Sequence, residues 1–216
     1  MDLAKDPITG LWYRPHTWDL DSIRRAPEIA RAIEPGDVVL DLGAHIGGTT
    51  WAAVEYGAAY VDAVEPHPRG HELLRRNLNG IRARCTRPLE LEAYDYAIGP
   101  TTGMTVLHEN ARSTIGHTTM DKPWTAQANG IEVELVPLRR LMDQFSYTTV
   151  LCDIEGAEYT LPWKEELPAS VRVLLVEFHY RFMPTWHAKA LALEKLFTQK
   201  MGFVGSDPVP PLGMAH

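Results

Sequence analysis

Residues 38–48, VVLDLGAHIGG, constrain the chain most. Val38, Val39 and Leu40 form a short apolar run of the kind found inside a parallel sheet, where helices cover both faces and strict alternation disappears. Asp41 marks the end of that strand. Gly43 and Gly47 permit backbone angles closed to other residues, so the chain can turn tightly and bring main-chain N–H groups near a ligand. A helix should follow over 48–57, its first amides aimed at the turn. A second apolar strand, 60–65, ends in an acid 24 positions after Asp41. Nucleotide-binding folds set a carboxylate on the ribose hydroxyls after about 20 residues, close to this spacing. A carboxylate accepts hydrogen bonds and a diol offers two donors, so Glu65 is the leading cofactor residue.

The rest of the chain repeats the alternation. Strands are expected over 89–99, 104–108, 131–137, 149–154 and 171–178, and helices over 68–79, 138–145, from EGAEY to residue 166, and 186–201. Phe203 and Val204 read as the start of a final strand. This pattern gives an α/β fold with a doubly wound, mostly parallel sheet. Residues 1–36, with turn signals and a helix over 19–33, read as a lead-in that packs on the sheet or covers the cofactor; Trp12, Tyr13 and Trp18 suit either use. The main domain takes 37–206, and 207–216 form a tail. Residues 100–130 are polar and long enough for a substrate-facing loop.

The 216 residues, 45% of them hydrophobic, suffice for one sizeable core. A net charge of −7 argues against a general nucleic-acid binder. Even so, residues 69–87 hold six arginines against one acid, Glu72, which is either a solvated face or a site for an anion. Cys85 and Cys152 lack metal-ligand spacing and suit a reduced compartment, with Cys152 packing in a strand. Without a run of 18 apolar residues or a signal-type start, the expectation is a soluble cytoplasmic protein that does not engage membrane.

In open α/β sheets ligands bind beyond the carboxyl ends of the strands. Those ends carry Asp41, Glu65, Ala97, then Asp153 with Glu155, then Glu177 with His179. Residues i and i+2 of a strand share a face, so each of the last two pairs can point together. Packing alone does not explain acids at the ends of apolar strands, because buried carboxylates are costly unless paired. Glu155 and Glu158 have an alternative use in supporting the first turn of the next helix. His67, His71, His108 and His117 show no ligand spacing and read as surface or loop residues.

Taken together, DLGAHIGGTT at 41–50, EPHP at 65–68, YAIG at 96–99, CDIEGAE at 152–158 and VEFH at 176–179 resemble the FkbM-type methyltransferases, which use S-adenosylmethionine (SAM). TWD at 17–19 is similar to that family's lead-in. The resemblance implies a Rossmann-like fold of the class I methyltransferase type, and O-methylation of a hydroxyl on a natural product or sugar. It implies that Gly43, Ala44 and Gly47 border the methionine part of SAM, Glu65 the ribose and Ala97 the adenine edge, with Asp153 near the sulfonium. Asp41, His45 and Pro66 complete the candidate cofactor set. Two residues depart from the family pattern: His45 stands where Asn is common, and Cys152 where Lys is frequent before the Asp.

The acceptor hydroxyl must lose its proton. His179, with an ordinary pKa near 6.5, is the first candidate, with Asp153 and Glu155 beside it. A Mg ion on Asp153, Glu155 and His179 is a further solution, less favoured than a metal-free site. The alternatives are a nucleic-acid methyltransferase, a non-catalytic SAM-binding protein and an NAD-dependent oxidoreductase. GAHIGG, however, meets only two of the three glycines of G-x-G-x-x-G.

Overall fold

The computed structural model describes residues 2–110, 114, 116–120, 129–163 and 167–179. A short hairpin, β1 (Ala4–Lys5) and β2 (Trp12–Tyr13), precedes helix α1 (Asp19–Ala30). Next come β3 (Val38–Leu42), α2 (Gly48–Glu55), β4 (Tyr60–Val64), α3 (Pro68–Arg84) and β5 (Glu90–Tyr94). The chain continues through β6 (Ala97–Gly99), β7 (Gly103–His108), β8 (Gly130–Pro137), α4 (Leu138–Met142), β9 (Thr149–Cys152), a 3₁₀ turn (Ala157–Thr160) and β10 (Val173–Val176). The helix over 186–201, the strand start at Phe203 and Val204, and the tail 207–216 lie outside the described residues.

Five strands form a parallel sheet in the order β10-β9-β3-β4-β5. The order reverses around β3, which is the doubly wound, Rossmann-like arrangement that the apolar runs led us to expect. β9 is buried along its whole length, and β3 and β4 at every residue but the first. This explains why their sequences are apolar runs rather than alternating patterns.

Three expectations need correction. Residues 89–99 are not one strand: β5 ends at Tyr94, whose carbonyl accepts the Glu65 N–H, and β6 leaves for a second, three-stranded sheet ordered β6-β8-β7. In that sheet β6 runs parallel and β7 antiparallel to β8. EGAEY does not open a long helix either. The 3₁₀ turn stops at Thr160, and Leu161 is extended, as a residue before Pro162 tends to be. Finally, α3 runs past Gly80 to Arg84, because Leu74, Leu78 and Ile81 keep one buried face going.

The lead-in is part of the core. Leu11, Ile23, Ala26, Ala30 and Ile33 share a buried cluster with Ala52 and Ala53 of α2 and with α3. A Cβ on Gly48 would lie 3.3 Å from the Ile23 Cα, so α1 and α2 meet almost backbone to backbone. Trp12 packs beneath the Arg76 guanidinium, 3.9 Å from the ring centre. Trp18 is exposed and stands at the rim of the main cavity.

The arginine-rich stretch is largely structural. Arg87 donates to the carbonyls of Val54 and Ala58 at the end of α2, Arg82 to Leu91 and Arg84 to Thr9. The Arg87 bonds serve carbonyls at the end of α2, and those of Arg82 and Arg84 tie α3 to β5 and to the first hairpin.

Candidate functional site

A cavity of about 870 Å³ opens at the carboxyl ends of β3, β4, β9 and β10. Of the candidate cofactor residues, Asp41, Gly43, Ala44, His45, Glu65, Pro66, Ala97 and Asp153 all line it, as do Glu155 and His179. Gly47 does not. It forms the left-handed cap of α2 (φ 90°), and a Cβ there would lie 2.9 Å from the Leu74 side chain, so its small size serves packing against α3.

Gly43 is needed for a different close approach from the one expected. At φ 83°, a Cβ on it would sit 1.8 Å from the Asp153 carbonyl oxygen. The glycine thus lets the turn after β3 touch the end of β9. The turn's amides are also spent inside the protein: Gly43 and Ala44 donate to the Val64 carbonyl, and His45 N–H to Glu65 Oε2 at 2.9 Å. Glu65 Oε1 accepts the His67 N–H at 2.8 Å. Glu65 therefore holds the turn to the end of β4 with one bond per oxygen, and each oxygen keeps a lone pair for a ligand.

Asp41 lies under the turn. It accepts from the hydroxyls of Thr49 and Thr50, which tie β3 to the start of α2. Burial pushes its carboxyl up to about 6, against those two bonds and with help from the Glu65 charge.

The lead-in reaches the same turn. Arg14 is buried and grips Asp19 through Nε at 2.7 Å and Nη2 at 2.9 Å, while Nη2 also meets His45 Nε2 at 2.9 Å. Burial alone would raise the Asp19 carboxyl, but the bonds from His45 and Arg14 outweigh it and hold the group far below the usual carboxylate range. His45 Nδ1 is buried with no partner among the described residues. The departure at His45 thus links lead-in to turn.

At the other end of the cavity His179 gathers carboxylates. The strand does not persist to Glu155. Glu155 (φ 56°) and Gly156 (φ 107°) make a left-handed turn, and it is this turn that brings Glu155 Oε2 to 3.5 Å from His179 Nε2. Asp153 Oδ1 is also 3.5 Å from Nε2, and Glu177 Oε1 is 4.0 Å away. Glu158, fully buried, accepts the His179 main-chain N–H at 2.8 Å and stands 3.1 Å from Nδ1.

Burial by itself would lower the His179 pKa. The Glu158 hydrogen bond and the charges of Asp153, Glu155 and Glu158 outweigh it and raise the group to about 10. A pKa raised this way favours the imidazolium at neutral pH, which sets His179 apart from the ordinary imidazole that the sequence suggests. Desolvation pushes the Asp153 carboxyl up, the His179 charge pulls it back, and Glu177, Glu155 and Glu158 push it up again. Its side chain is half open to the cavity. Asp153, Glu177 and His179 also offer ligand atoms within 4.8 Å of one another, a set that could hold a metal ion.

Two histidines read as surface or loop residues do sit in loops but belong to the cavity wall. His67 is buried and His117 stacks on it, ring centres 4.2 Å apart, and both line the cavity. The sequence contained signals for some of what was missed. TWD carries Asp19, and CDIEGAE carries Glu158, its third acid. Nothing in the spacing pointed to the His67–His117 pair, because it forms across 50 residues of chain.

Residues 41–204 match the family model of the methyltransferase FkbM domain. The chain belongs to this family. Among solved structures, methyltransferase FkbM from Methylobacillus flagellatus KT aligns with a TM-score of 0.54 at 14% identity, over 82% of this chain and 44% of that one. The present FkbM chain thus spans less than half the length of that protein. TYW2 of M. jannaschii in complex with AdoMet aligns with a TM-score of 0.33 at 15% identity, over 50% of this chain and 64% of that one. No functionally curated protein matches the sequence. Among the described residues, no helix of this FkbM domain is long and apolar enough to cross a membrane.

Proposed function

We propose that this FkbM domain transfers the methyl group of SAM to a hydroxyl of a small molecule, a natural product or a sugar, in a reducing, cytoplasmic setting that suits its two free cysteines. The observation that carries the reading is that one cavity joins Glu65 and the glycine turn to the carboxylate group around His179. SAM fits the residues present. Glu65 keeps lone pairs for a ribose diol, and His45, in the cavity wall, has a buried Nδ1 without a partner. In the tautomer protonated on Nδ1, that nitrogen suits a carboxylate such as that of methionine.

When bound, SAM supplies an electrophilic methyl carbon on a sulfonium. Glu65 and the turn it fixes orient that group, and alignment of this kind is worth about 7–11 kcal/mol in well-oriented systems. Asp153 takes the hydroxyl proton of the acceptor. Its pKa is raised above that of an ordinary carboxylate, which makes it a stronger base. His179 donates from Nε2, holding the acceptor oxygen or Asp153 in place, while Glu158 fixes its ring from behind. SAM held by Glu65 and the glycine turn would supply the methyl group to the acceptor oxygen so prepared.

Calorimetric titration with S-adenosylhomocysteine, with NAD as control, tests the cofactor; binding of the former alone is expected, and binding of NAD or of neither overturns the reading. In an acceptor screen, Asp153→Asn should lower turnover about 100-fold or more, with S-adenosylhomocysteine affinity unchanged. Undiminished turnover would remove Asp153 as the base.

A further inference from the structure

Glu65 and His67 flank Pro66 at the end of β4, and all three line the cavity. His67 Nδ1 accepts the Gly70 N–H at the start of α3, at 3.3 Å. Its proton is therefore on Nε2, which donates to Glu109 at 3.0 Å. Both ring nitrogens of His67 are thus engaged, and the ring stands fixed in the wall.

His117 lies flat on it, 15° from parallel. His117 Nδ1 accepts the Asn110 N–H at 2.9 Å, which leaves the proton of the neutral ring on Nε2. Among the described residues that Nε2–H has no hydrogen-bond partner. The ring stays neutral, because burial depresses its pKa to about 4.

The segment carrying His117 is fastened on several sides. His108 and Thr118 exchange main-chain hydrogen bonds, the Thr118 hydroxyl donates to the Glu155 carbonyl at 2.7 Å, and the Thr114 hydroxyl donates to Asp19 at 2.8 Å. His117 is thereby held in the cavity wall with one donor to spare, stacked on His67, whose main-chain N–H bonds to Glu65, the residue assigned to the ribose.

Resting on the SAM reading above, we infer that His117 is a binding residue for the adenine base, its Nε2–H donating to a ring nitrogen of the purine. The match is chemical. Purine ring nitrogens N1, N3 and N7 of adenine only accept, whereas a carboxylate in this place could not donate at all. The base is bonded to the ribose, so the residues beside Glu65 are those within its reach. A neutral imidazole backed by a second ring also presents a flat face of the kind on which bases stack.

The test is calorimetric titration of the wild type, His117→Ala and His117→Gln with S-adenosylhomocysteine and its 1-deaza, 3-deaza and 7-deaza analogues. In the wild type one analogue should bind about 3- to 10-fold more weakly than the parent, the scale of one neutral hydrogen bond. In His117→Ala that difference should vanish, with the parent weakened by a similar factor, and His117→Gln, which keeps a donor, should restore part of it. A merely structural role would weaken parent and analogues alike. A uniform loss, or no loss, overturns the inference while leaving the SAM reading intact. Failure of the wild type to bind S-adenosylhomocysteine removes both.

Discussion

Replacing Glu158 by Gln should expose how much of the site's stability is electrostatic. The wild-type carboxylate is fully buried and serves three N–H groups: those of Gly156 and His179 in the main chain, and His179 Nδ1. A rise in the His179 pKa from 6.5 to about 10 corresponds to about 5 kcal/mol, shared among the carboxylates that surround it. Because the folded pKa is the higher one, this stabilisation is fully present below pH 6.5 and is lost as pH rises towards 10. Glu158→Gln removes its share and turns an amide NH₂ towards N–H donors, at a further cost of about 1–3 kcal/mol. At pH 7 the variant should therefore lose about 2–4 kcal/mol, a fall in Tm of about 5–15 °C for a chain of this size. Above pH 10, where His179 is neutral in both proteins, the gap should shrink to the hydrogen-bond part alone. Thermal melts from pH 6 to 10.5, with NMR titration of the His179 ring, measure both quantities. A gap that does not vary with pH, or a wild-type midpoint near 6.5, would refute the account.

Gly43→Ala should not give a folded protein, since its Cβ would have to occupy space 1.8 Å from a main-chain oxygen at a positive φ; a soluble variant with a wild-type melt would sink this reading of the turn. Glu65→Ala removes the proposed ribose acceptor together with the partner of the His45 and His67 amides. Both S-adenosylhomocysteine affinity, by tenfold or more (about 1.4 kcal/mol), and Tm should fall, and an unchanged affinity would remove the assignment. Chelation by EDTA should alter neither affinity nor turnover, because the His179 imidazolium already offsets the carboxylates around it; a loss restored by Mg would show that the Asp153, Glu177 and His179 set works as a metal site.

The parallel sheet was legible because its strands are buried on both faces, and that burial leaves a mark in each strand separately. VVLDL, YVDAV and TVLC are unambiguous without knowing their neighbours. The second sheet left no such mark. β6 is three residues long and pairs with residues of β8 that lie 38 positions on (Ala97 with Leu135), while its own sequence runs straight out of β5. The turn at Gly43 was legible as a turn, but its reason was not, since the atom that demands glycine belongs to Asp153 at the end of another strand.

The residues of the site were legible by type and position, whereas their protonation was not, and protonation decides their roles. Taken from its position in VEFH, His179 has an ordinary pKa and makes a natural base. In the fold it meets Glu158 on one nitrogen and Asp153 and Glu155 on the other, contacts that span two loops and depend on a left-handed turn at Glu155. Under those charges the imidazole holds its proton more tightly, and the same crowding makes the Asp153 carboxyl more basic, which is why the proposed base is the carboxylate. His117 went the opposite way. Burial against a second imidazole strips its charge and leaves a neutral donor, although its pKa in isolation is that of His179. Two histidines of one cavity thus differ by about six pH units. Burial prevails at His117, whereas at His179 the carboxylates packed around the ring outweigh it, and only the folded chain assembles either setting.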